Sequence, residues 1–321
     1  MIALLGASGY IGSAFAEALE ERGWEFVALS RAQLDYTRFP VLLKFLRENK
    51  PAFLINAAGF AGKPNVDACE AARSETLEGN VLLPVTIAHA CEITGTPWGH
   101  VSSGCIYNGA KVLRDGQWEI ETDLGGSAFR KLRREHRENI RGFDETDAPN
   151  FSFTRPPCSF YSGSKALAEE ALGQVGRCYI WRVRMPFDEH DNRRNYLTKL
   201  QRYSKLYEST NSISHRGDFV RACLSLWDRR GPFGIYNMTN PGDVTTSEVV
   251  QMIQRVLQPE RKFEFFSGDK DFYGSGVQAM RSNCILEVGK LLGTGIRMRP
   301  VTEALADSLK HWPRKPALQA A

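Results

Sequence analysis

Short apolar runs alternate with amphipathic stretches along the first half of the chain. Runs such as IALL at 2–5 and FLIN at 53–56 are apolar at nearly every position, which is typical of strands buried on both faces of a parallel sheet. Further strands are predicted at 26–29, 100–102 and 179–183. The stretches 13–22 and 80–93 have the spacing of helices. This alternation predicts an α/β fold with a doubly wound parallel sheet.

The alternation loosens beyond residue 184, where helical and strand-like pieces mix without a clear linker. We therefore expect residues 1–184 to form one domain and residues 185–321 to form mainly a smaller second domain. A strand near 235–238 could rejoin the sheet of the first domain.

A polar segment, 109–150, interrupts the first domain. Its most charged part, at 129–139, reads FRKLRREHREN. Charged runs are usually solvated faces, so a surface helix is favoured here over a lid that covers a functional site.

Composition and charge exclude several classes of function. The 321 residues are 42% hydrophobic, which is enough for a large core. Lys and Arg number 41 against 37 Asp and Glu, so nucleic acid is not an expected partner. The seven cysteines form no C-x-x-C pair, and no apolar run approaches the roughly 18 residues of a membrane span. We expect a cytoplasmic protein with reduced thiols, and no metal site, signal peptide or membrane contact.

The turn after the first predicted strand has glycine at every third position, in the sequence GASGYIG. Glycine lets a backbone turn tightly and approach a pyrophosphate, and the N-terminus of the following helix attracts phosphate. The context therefore predicts a Rossmann-like dinucleotide site near the N-terminus. The residues expected to contact the cofactor here are Gly6, Ser8, Gly9, Tyr10, Ile11 and Gly12.

The end of the second predicted strand distinguishes between the two nicotinamide cofactors. An acidic residue there would bind the ribose hydroxyl of NAD, but this chain has Ser30 and Arg31, which suit the 2′-phosphate of NADP. Asp35 lies only four residues after Arg31, so NAD stays the alternative. The other expected cofactor contacts are Asn56, Ala57, Ala58, Gly59, Asn80 and Arg184.

A tyrosine and a lysine stand one helical turn apart in SFYSGSKALAEEAL. Tyr161 and Lys165 would share one face of a helix, where the ammonium would lower the pKa of the phenol. Such a phenol can protonate a carbonyl oxygen as hydride reaches the carbon, and Ser103 at a strand end could hydrogen-bond the same oxygen. Ordinary packing is the alternative for the tyrosine and the lysine.

Together with the glycine loop, these residues resemble the extended short-chain dehydrogenase/reductase family. The resemblance implies that Ser103, Tyr161 and Lys165 are the catalytic trio. It is closest to nucleotide-rhamnose synthases, and it extends to the dTDP-4-dehydrorhamnose reductase and GDP-fucose synthase groups. The similar stretches are NAAGFAGKPNVDACE (56–70), SGCIY (103–107), FYSGSKA (160–166), WRVRMPFDEHDNRRNYLTKLQRY (181–203) and GIYNMTNPG (234–242).

The resemblance implies an NADPH-dependent reduction of a nucleotide-linked 4-keto-6-deoxy sugar. It also implies 3,5-epimerisation, giving a sugar of the nucleotide-L-rhamnose type. Residues 1–184 would bind NADP and residues 185–321 the nucleotide-sugar substrate, and homodimers are common in the family. Two other interpretations stay open, namely a 4-ketoreductase without epimerase activity and a non-catalytic regulator that binds the dinucleotide.

Epimerisation requires two acid/base groups on opposite faces of the sugar, because one proton leaves from one face and another returns to the other. By resemblance, Cys105 acts with Lys199, and His190 is the alternative partner. The expected substrate contacts are Lys63, Asn65, Ser103, Cys105, Tyr161, His190 and Asn195. One or more of four arginines near the expected crevice could bind the diphosphate, namely Arg182, Arg184, Arg193 and Arg194. Between Cys105 and Tyr161 the chain is longer than the family pattern, and the extra segment, 109–150, could cap the sugar.

Overall fold

Six parallel strands form the central sheet of the chain, in the order β11-β8-β4-β3-β1-β2. The structure, a computed structural model, describes residues 1–173 and 176–313. The last part of the predicted second domain, 314–321, lies outside the described residues. Within the described residues, no helix combines the length and the apolar character that crossing a membrane requires.

Every neighbouring pair in this sheet is parallel, and the order steps outward from both sides of β1. The predicted α/β fold with a doubly wound sheet is therefore confirmed. The strands of the described residues are β1 Ile2–Leu5, β2 Phe26–Leu29, β3 Phe53–Asn56, β4 Trp98–Ser103, β5 Ala110–Arg114, β6 Gln117–Glu121, β7 Ile140–Arg141, β8 Cys178–Val183, β9 Lys205–Leu206, β10 Thr210–Asn211, β11 Gly234–Asn237, β12 Val244–Thr245 and β13 Glu264–Phe265.

Helices cover both faces of the sheet, and several of them start at recognisable signals. Ser159 caps α7 by accepting a hydrogen bond from the backbone N–H of Ser162, and Thr245 forms a capping box with Glu248 at α10. The α-helices are α1 Tyr10–Glu21, α2 Phe39–Asn49, α3 Ala68–Ala71, α4 Arg73–Leu77, α5 Leu83–Thr94, α6 Ser127–Glu135, α7 Phe160–Leu172, α8 Tyr196–Arg202, α9 Arg216–Asp228, α10 Thr246–Val256, α11 Asp269–Gly274, α12 Gly289–Gly293 and α13 Val301–Lys310.

Alternate residues of each central strand enter opposite cores. Ile2 and Leu4 of β1 pack with α1 and α9, whereas Ala3 and Leu5 pack with α2 and α5. Since side chains alternate along a strand, an uninterrupted apolar run fills both layers at once. The continuous runs in the sequence therefore report the two-sided burial of this sheet.

Residues beyond 184 form a third core and also return to the sheet. Side chains of α8, α10 and α13 pack around Phe187 and Ile213. The strand β11 pairs in parallel with β8 at the sheet edge, with Ile235 opposite Ile180. The division at residue 184 into two domains stays a prediction.

The inserted segment 109–150 contains a small antiparallel sheet, in the order β6-β5-β7, and the helix α6. Phe129 of α6 is buried, and Arg133 pairs with Asp243 and with Glu248, at 2.7 Å from the latter. As expected, α6 is a surface helix with most of its charged side chains exposed, and Arg133 joins one side of it to the C-terminal region. The turn between β5 and β6 is Asp115-Gly116, both with positive φ, which is the sequence signal of a two-residue hairpin.

We predict that Gly99→Ala destabilises the protein. A Cβ at residue 99 of β4 would lie 2.0 Å from the buried ring of Trp181, and overpacking of this kind costs about 1–3 kcal/mol. The measurement is the midpoint of urea unfolding. Gly289→Ala, where a Cβ has no heavy atom within 4 Å, is the control and should stay close to the wild type. Equal midpoints for all three proteins would contradict the packing described for β4 and β8.

Candidate active site

A cavity of about 700 Å³ opens at the carboxyl ends of the central strands. One wall is formed by the turn after β1, the loop after β3 and the end of β4. The opposite wall is formed by α8, residues 205–209 and residues 277–283. Parallel sheets bind their ligands at this edge, so this cavity is the candidate site. None of residues 109–150 lines it, which agrees with the surface helix favoured for this segment and not with the alternative of a cap over the sugar.

The glycine turn fits a dinucleotide phosphate for steric reasons. A Cβ at Gly6 would lie 2.5 Å from the backbone nitrogen of Ala58, and one at Gly12 would lie 1.9 Å from the carbonyl oxygen of Gly6. Because these glycines let the turn pack closely on β3, the N-terminus of α1 reaches the cavity, where Gly9, Tyr10 and Ile11 line the wall. Gly6, Ser8 and Gly12 shape the turn and do not line the cavity.

The residues expected to select the cofactor are exposed beside this turn. Ser30 and Arg31 follow β2, whose last residue Leu29 pairs with Leu5. Ser30 donates a hydrogen bond from Oγ to Gln33, at 2.8 Å. Asp35 is also exposed and accepts a hydrogen bond from Thr37. Ser30, Arg31 and Asp35 are exposed and do not line the cavity.

The loop after β3 is shaped by a buried amide. Asn56 contacts His100 Nδ1 at 3.0 Å and accepts a hydrogen bond from the N–H of Ala58 at 3.1 Å. Its side chain therefore holds the loop and does not line the cavity, whereas Ala57, Ala58 and Gly59 do.

Asn80 connects this loop to α7. It lies in a π-helical turn, Glu78–Leu82, a feature that is frequent at functional sites. It accepts a hydrogen bond from the N–H of Phe60 at 2.9 Å and donates to Ser164 Oγ at 3.1 Å. Asn80 lines the cavity, as expected of a cofactor contact. Its two hydrogen bonds also hold the loop after β3 against α7.

The three residues predicted as a catalytic trio line one cavity. Ser103 ends β4, Tyr161 lies in the first turn of α7, and Lys165 follows one turn later. Lys165 Nζ donates to the carbonyl oxygen of Val101 at 3.4 Å. Gly59 lies beside this ammonium, since a Cβ at residue 59 would be 3.6 Å from Lys165 Nζ and 3.2 Å from Asn80 Oδ1.

A buried carboxylate fixes α7 against the sheet. Glu169 of α7 accepts hydrogen bonds from Arg182 Nη2 at 2.7 Å and from Ser102 Oγ at 2.5 Å. Arg182 is 2% exposed and donates also to the hydroxyl of Tyr107. Arg182 is therefore committed to the structure and is not available to a diphosphate.

The predicted lowering of the Tyr161 pKa is wrong for the polypeptide itself. Burial raises the pKa of Tyr161 above its usual value, and a hydrogen bond with Ser103 offsets only part of this effect. Burial also lowers the pKa of Lys165, which weakens the cation that was expected to act on the phenol. Tyr161 is therefore a neutral phenol with a proton to donate.

Cys105, which follows β4, and Lys199 of α8 both line the cavity. Cys105 lies in a 3₁₀ turn, Gly104–Ile106, and is 7% exposed. Burial lowers the pKa of Lys199 to about 8, and the charges of Arg194 and Arg281 contribute to this shift. An amine with such a pKa can exchange a proton near neutrality.

The structure does not bring the other expected sugar contacts together. The His190 side chain is 64% exposed outside the cavity, where it contacts Asp188. Asn195 is buried as the N-cap of α8 and donates to the same aspartate. Lys63 is exposed outside the cavity, and only Asn65 lines it. The local sequence could not reveal that Asn195 is buried as a helix N-cap.

Of the remaining arginines, Arg184 and Arg194 line the cavity and Arg193 does not. Arg184 Nη2 donates to Asn211 Oδ1 at 2.6 Å, on the side of the C-terminal region. Arg281, which sequence reasoning missed, lines the cavity and forms an ion pair with Asp67 at 2.9 Å.

An aromatic and cationic outer part of the cavity was also missed. Tyr203, Lys205 and Tyr207 line it at alternate positions of one segment, together with Phe266 and Phe272. The alternation in RYSKLY was the available signal, but it gave no indication of what the side chains would face. Among the described residues, no group of three or more His, Cys, Asp or Glu side chains could hold a metal ion.

Comparison with protein families gives a match over most of the chain. The model of the RmlD substrate binding domain matches residues 1–310. A bifunctional dTDP-4-dehydrorhamnose 3,5-epimerase/dTDP-4-dehydrorhamnose reductase of Arabidopsis thaliana is 29% identical over 303 residues, covering 94% of this chain and 90% of the relative. A trifunctional UDP-glucose 4,6-dehydratase/UDP-4-keto-6-deoxy-D-glucose 3,5-epimerase/UDP-4-keto-L-rhamnose-reductase of the same plant is 29% identical over 90% of this chain, which spans 38% of that relative's length.

Solved structures share the fold over nearly all of the chain. A UDP-rhamnose synthase from Acanthamoeba polyphaga mimivirus has a TM-score of 0.80 at 23% identity, covering 97% of this chain and 99% of its own. A dTDP-4-dehydrorhamnose reductase from Bacillus anthracis, in complex with NADP, has a TM-score of 0.72 at 17% identity, covering 97% of each chain. At these identities the likeness establishes the fold alone.

We predict that Tyr161 does not form a phenolate in the protein alone between about pH 7 and about pH 10, where a free tyrosine titrates. Burial disfavours the charged form, so the pKa lies above the ordinary value. The measurement is the difference in tyrosinate absorbance between the wild type and Tyr161→Phe during a pH titration. An additional tyrosine that titrates below the ordinary pKa in the wild type would contradict the described environment.

Proposed function

The chain belongs to the RmlD substrate binding domain family, and we propose that it epimerises C3 and C5 of a nucleotide-linked 4-keto-6-deoxy sugar and then reduces C4 with NADPH. The product would be a nucleotide-linked sugar of the L-rhamnose type. Family membership confirms the predicted nucleotide-sugar branch and the oxidoreductase class. One observation carries the finer proposal: Ser103, Tyr161, Lys165, Cys105 and Lys199 line a single cavity.

NADP fits the glycine-lined part of this cavity, and NADPH would supply the hydride. Gly9, Tyr10 and Ile11 at the N-terminus of α1 would hold the diphosphate. Ala57–Gly59 would leave space for the dinucleotide against the backbone, since these side chains are small or absent. Arg31 and Ser30 would bind the 2′-phosphate from the open side of the turn.

Reduction of the ketone requires a proton at the C4 oxygen. Tyr161 is a neutral phenol and would donate that proton, while Ser103 would hydrogen-bond the same oxygen. Lys165 lies one turn away and would stabilise the phenolate that remains. The trio therefore has the groups that carbonyl reduction requires from the protein.

Epimerisation would use Lys199 and Cys105 from the two walls. One group removes the proton of a carbon next to the ketone, and the electron pair of that bond forms an enolate at C4. The other group returns a proton to the opposite face. The lowered pKa of Lys199 supports its role as a base near neutrality.

We predict that deuterium enters C3 and C5 when the wild type is incubated in D₂O with the keto sugar and without NADPH. Cys105→Ala should abolish inversion at these carbons, because one of the two proton carriers is lost, and should spare reduction of an already epimerised substrate. The measurement is NMR of the recovered sugar, with Cys158→Ala as control for loss of a nearby thiol that does not line the cavity.

Retained inversion at C3 and C5 in Cys105→Ala would contradict the role of this thiol. A wild type that reduces the epimerised sugar without exchange would be a 4-ketoreductase only. A wild type that binds NADPH and converts no keto sugar would be a regulator.

We predict that Arg31→Ala weakens binding of NADPH about tenfold, the loss expected for one charge-assisted hydrogen bond. Binding of NADH should not change, because NADH has no 2′-phosphate. The measurement is a fluorescence titration with each dinucleotide, and Arg38→Ala, another exposed arginine, is the matched control. Equal losses for NADPH and NADH would argue against a phosphate contact at Arg31.

A further inference from the structure

Arg194 bridges the two walls of the cavity. It precedes α8, and its guanidinium donates from Nη1 to the carbonyl oxygen of Ala61 at 3.2 Å and from Nη2 to that of Gly62 at 2.5 Å. Both carbonyls belong to the loop after β3. An arginine has five N–H donors, so this tether leaves three of them free at a position that lines the cavity.

The charge of Arg194 has no carboxylate partner among residues 1–173 and 176–313. Arg182, by contrast, is paired with Glu169, and Arg281 is paired with Asp67. Two neutral carbonyls hold Arg194 in place without cancelling its charge. A fixed and uncompensated cation in a partly buried wall acts strongly on neighbouring groups, because little solvent screens it.

Two of those neighbours are the groups to which the proposed reaction assigns proton transfer. The Arg194 charge favours the ionised form of Tyr161 and so offsets part of the rise in its pKa. The same charge disfavours the protonated form of Lys199. The guanidinium therefore stands within electrostatic reach of both the proton donor and the candidate base.

We propose that Arg194 is a further active-site residue, whose tethered guanidinium stabilises the anion formed at the C4 oxygen and keeps the Lys199 amine free to accept a proton. This inference rests on the proposed epimerase/reductase function. The hydrogen bonds to Ala61 and Gly62 keep the guanidinium at the cavity, whereas an untethered arginine side chain would turn towards solvent.

The proposed reaction forms a negative charge on the C4 oxygen, which a fixed cation nearby would stabilise. When Lys199 removes a proton from a carbon next to the ketone, the C–H electron pair forms a carbon–carbon double bond and the carbonyl electrons move onto the C4 oxygen. A preorganised positive charge lowers the energy of this enolate without reorganisation at the moment of reaction. In the later reduction the same oxygen receives negative charge, which Tyr161 neutralises with its proton.

The other charged group that acts on Lys199 is Arg281, which lines the same wall as α8. Arg281 also disfavours the ammonium form, but Asp67 is paired with it and reduces its field. Arg194 should therefore make the larger contribution of the two cations. Arg193, the adjacent residue in the chain, is exposed and outside the cavity, and it provides a matched control.

The first experiment measures the protonation of Lys199 without requiring turnover. Wild type, Arg194→Gln, Arg194→Lys and Arg193→Gln are labelled with acetic anhydride across a pH series, and the Lys199 peptide is quantified by mass spectrometry. Loss of the cation should raise the labelling midpoint of Arg194→Gln by about half a pH unit or more. Arg194→Lys keeps a charge, so its labelling midpoint should stay nearer that of the wild type. Arg193→Gln should have the same labelling midpoint as the wild type.

The second experiment measures deuterium exchange into the keto sugar with the same four proteins. Loss of a preorganised charge at the oxyanion should slow exchange in Arg194→Gln about 100-fold at neutral pH. Because the base must be neutral, the rate rises with pH through the Lys199 pKa, and this rise should move to higher pH. A residue with a merely structural role would slow exchange without moving either pH profile.

The outcomes separate this inference from the proposed function. An unchanged labelling midpoint, or unchanged exchange, in a folded Arg194→Gln protein overturns the role of Arg194 while the wild-type reaction stands. Absence of exchange in the wild type overturns the epimerase function instead. In that case the labelling series alone decides whether Arg194 lowers the pKa of Lys199. Equal behaviour of Arg194→Gln and Arg193→Gln in the labelling series also overturns the inference.

Discussion

The geometry of the site depends on one buried carboxylate. Glu169 joins α7 to β4 through Ser102 and to β8 through Arg182, and all three side chains are buried. A buried ion pair contributes little net stability, but removing one partner costs about 3–5 kcal/mol because a charge is left unpaired. The helix is therefore held at one position against the sheet. Tyr161 and Lys165 take their places relative to Ser103 from this attachment.

Burial of the side chains in the cavity also explains why tyrosine and lysine residues of the site have shifted pKa values. Burial raises the pKa of Tyr161 and lowers those of Lys165 and Lys199. A phenol that keeps its proton and an amine that readily loses one are suited to donate and accept protons near neutrality. The cavity produces these properties by excluding water, and the fixed cations in its wall modify them.

The sequence predicted those parts of the molecule that are encoded locally. The apolar runs of the sheet, the glycine turn and the Tyr161–Lys165 spacing each depend on neighbouring residues, and the fold and the family that followed from them are confirmed. The antiparallel sheet within 109–150 was missed, although Asp115-Gly116 signalled its hairpin.

What the sequence could not predict depends on contacts between distant segments. The pKa of Tyr161 follows from burial that only the folded cavity creates. Arg281 and Asp67 are 214 positions apart and meet only across that cavity. The exposure of His190 outside the cavity likewise depends on the folded loop around it and not on the His-Asp-Asn motif itself.

The return of β11 to the edge of the sheet has a mechanical consequence. The chain leaves the sheet after β8, builds part of the third core, comes back as β11 and then leaves again towards α10. The two walls of the cavity are thus joined by more than one covalent crossing, and a rigid rotation about a single hinge would strain the others. Any displacement of one wall relative to the other therefore has to bend these crossings together.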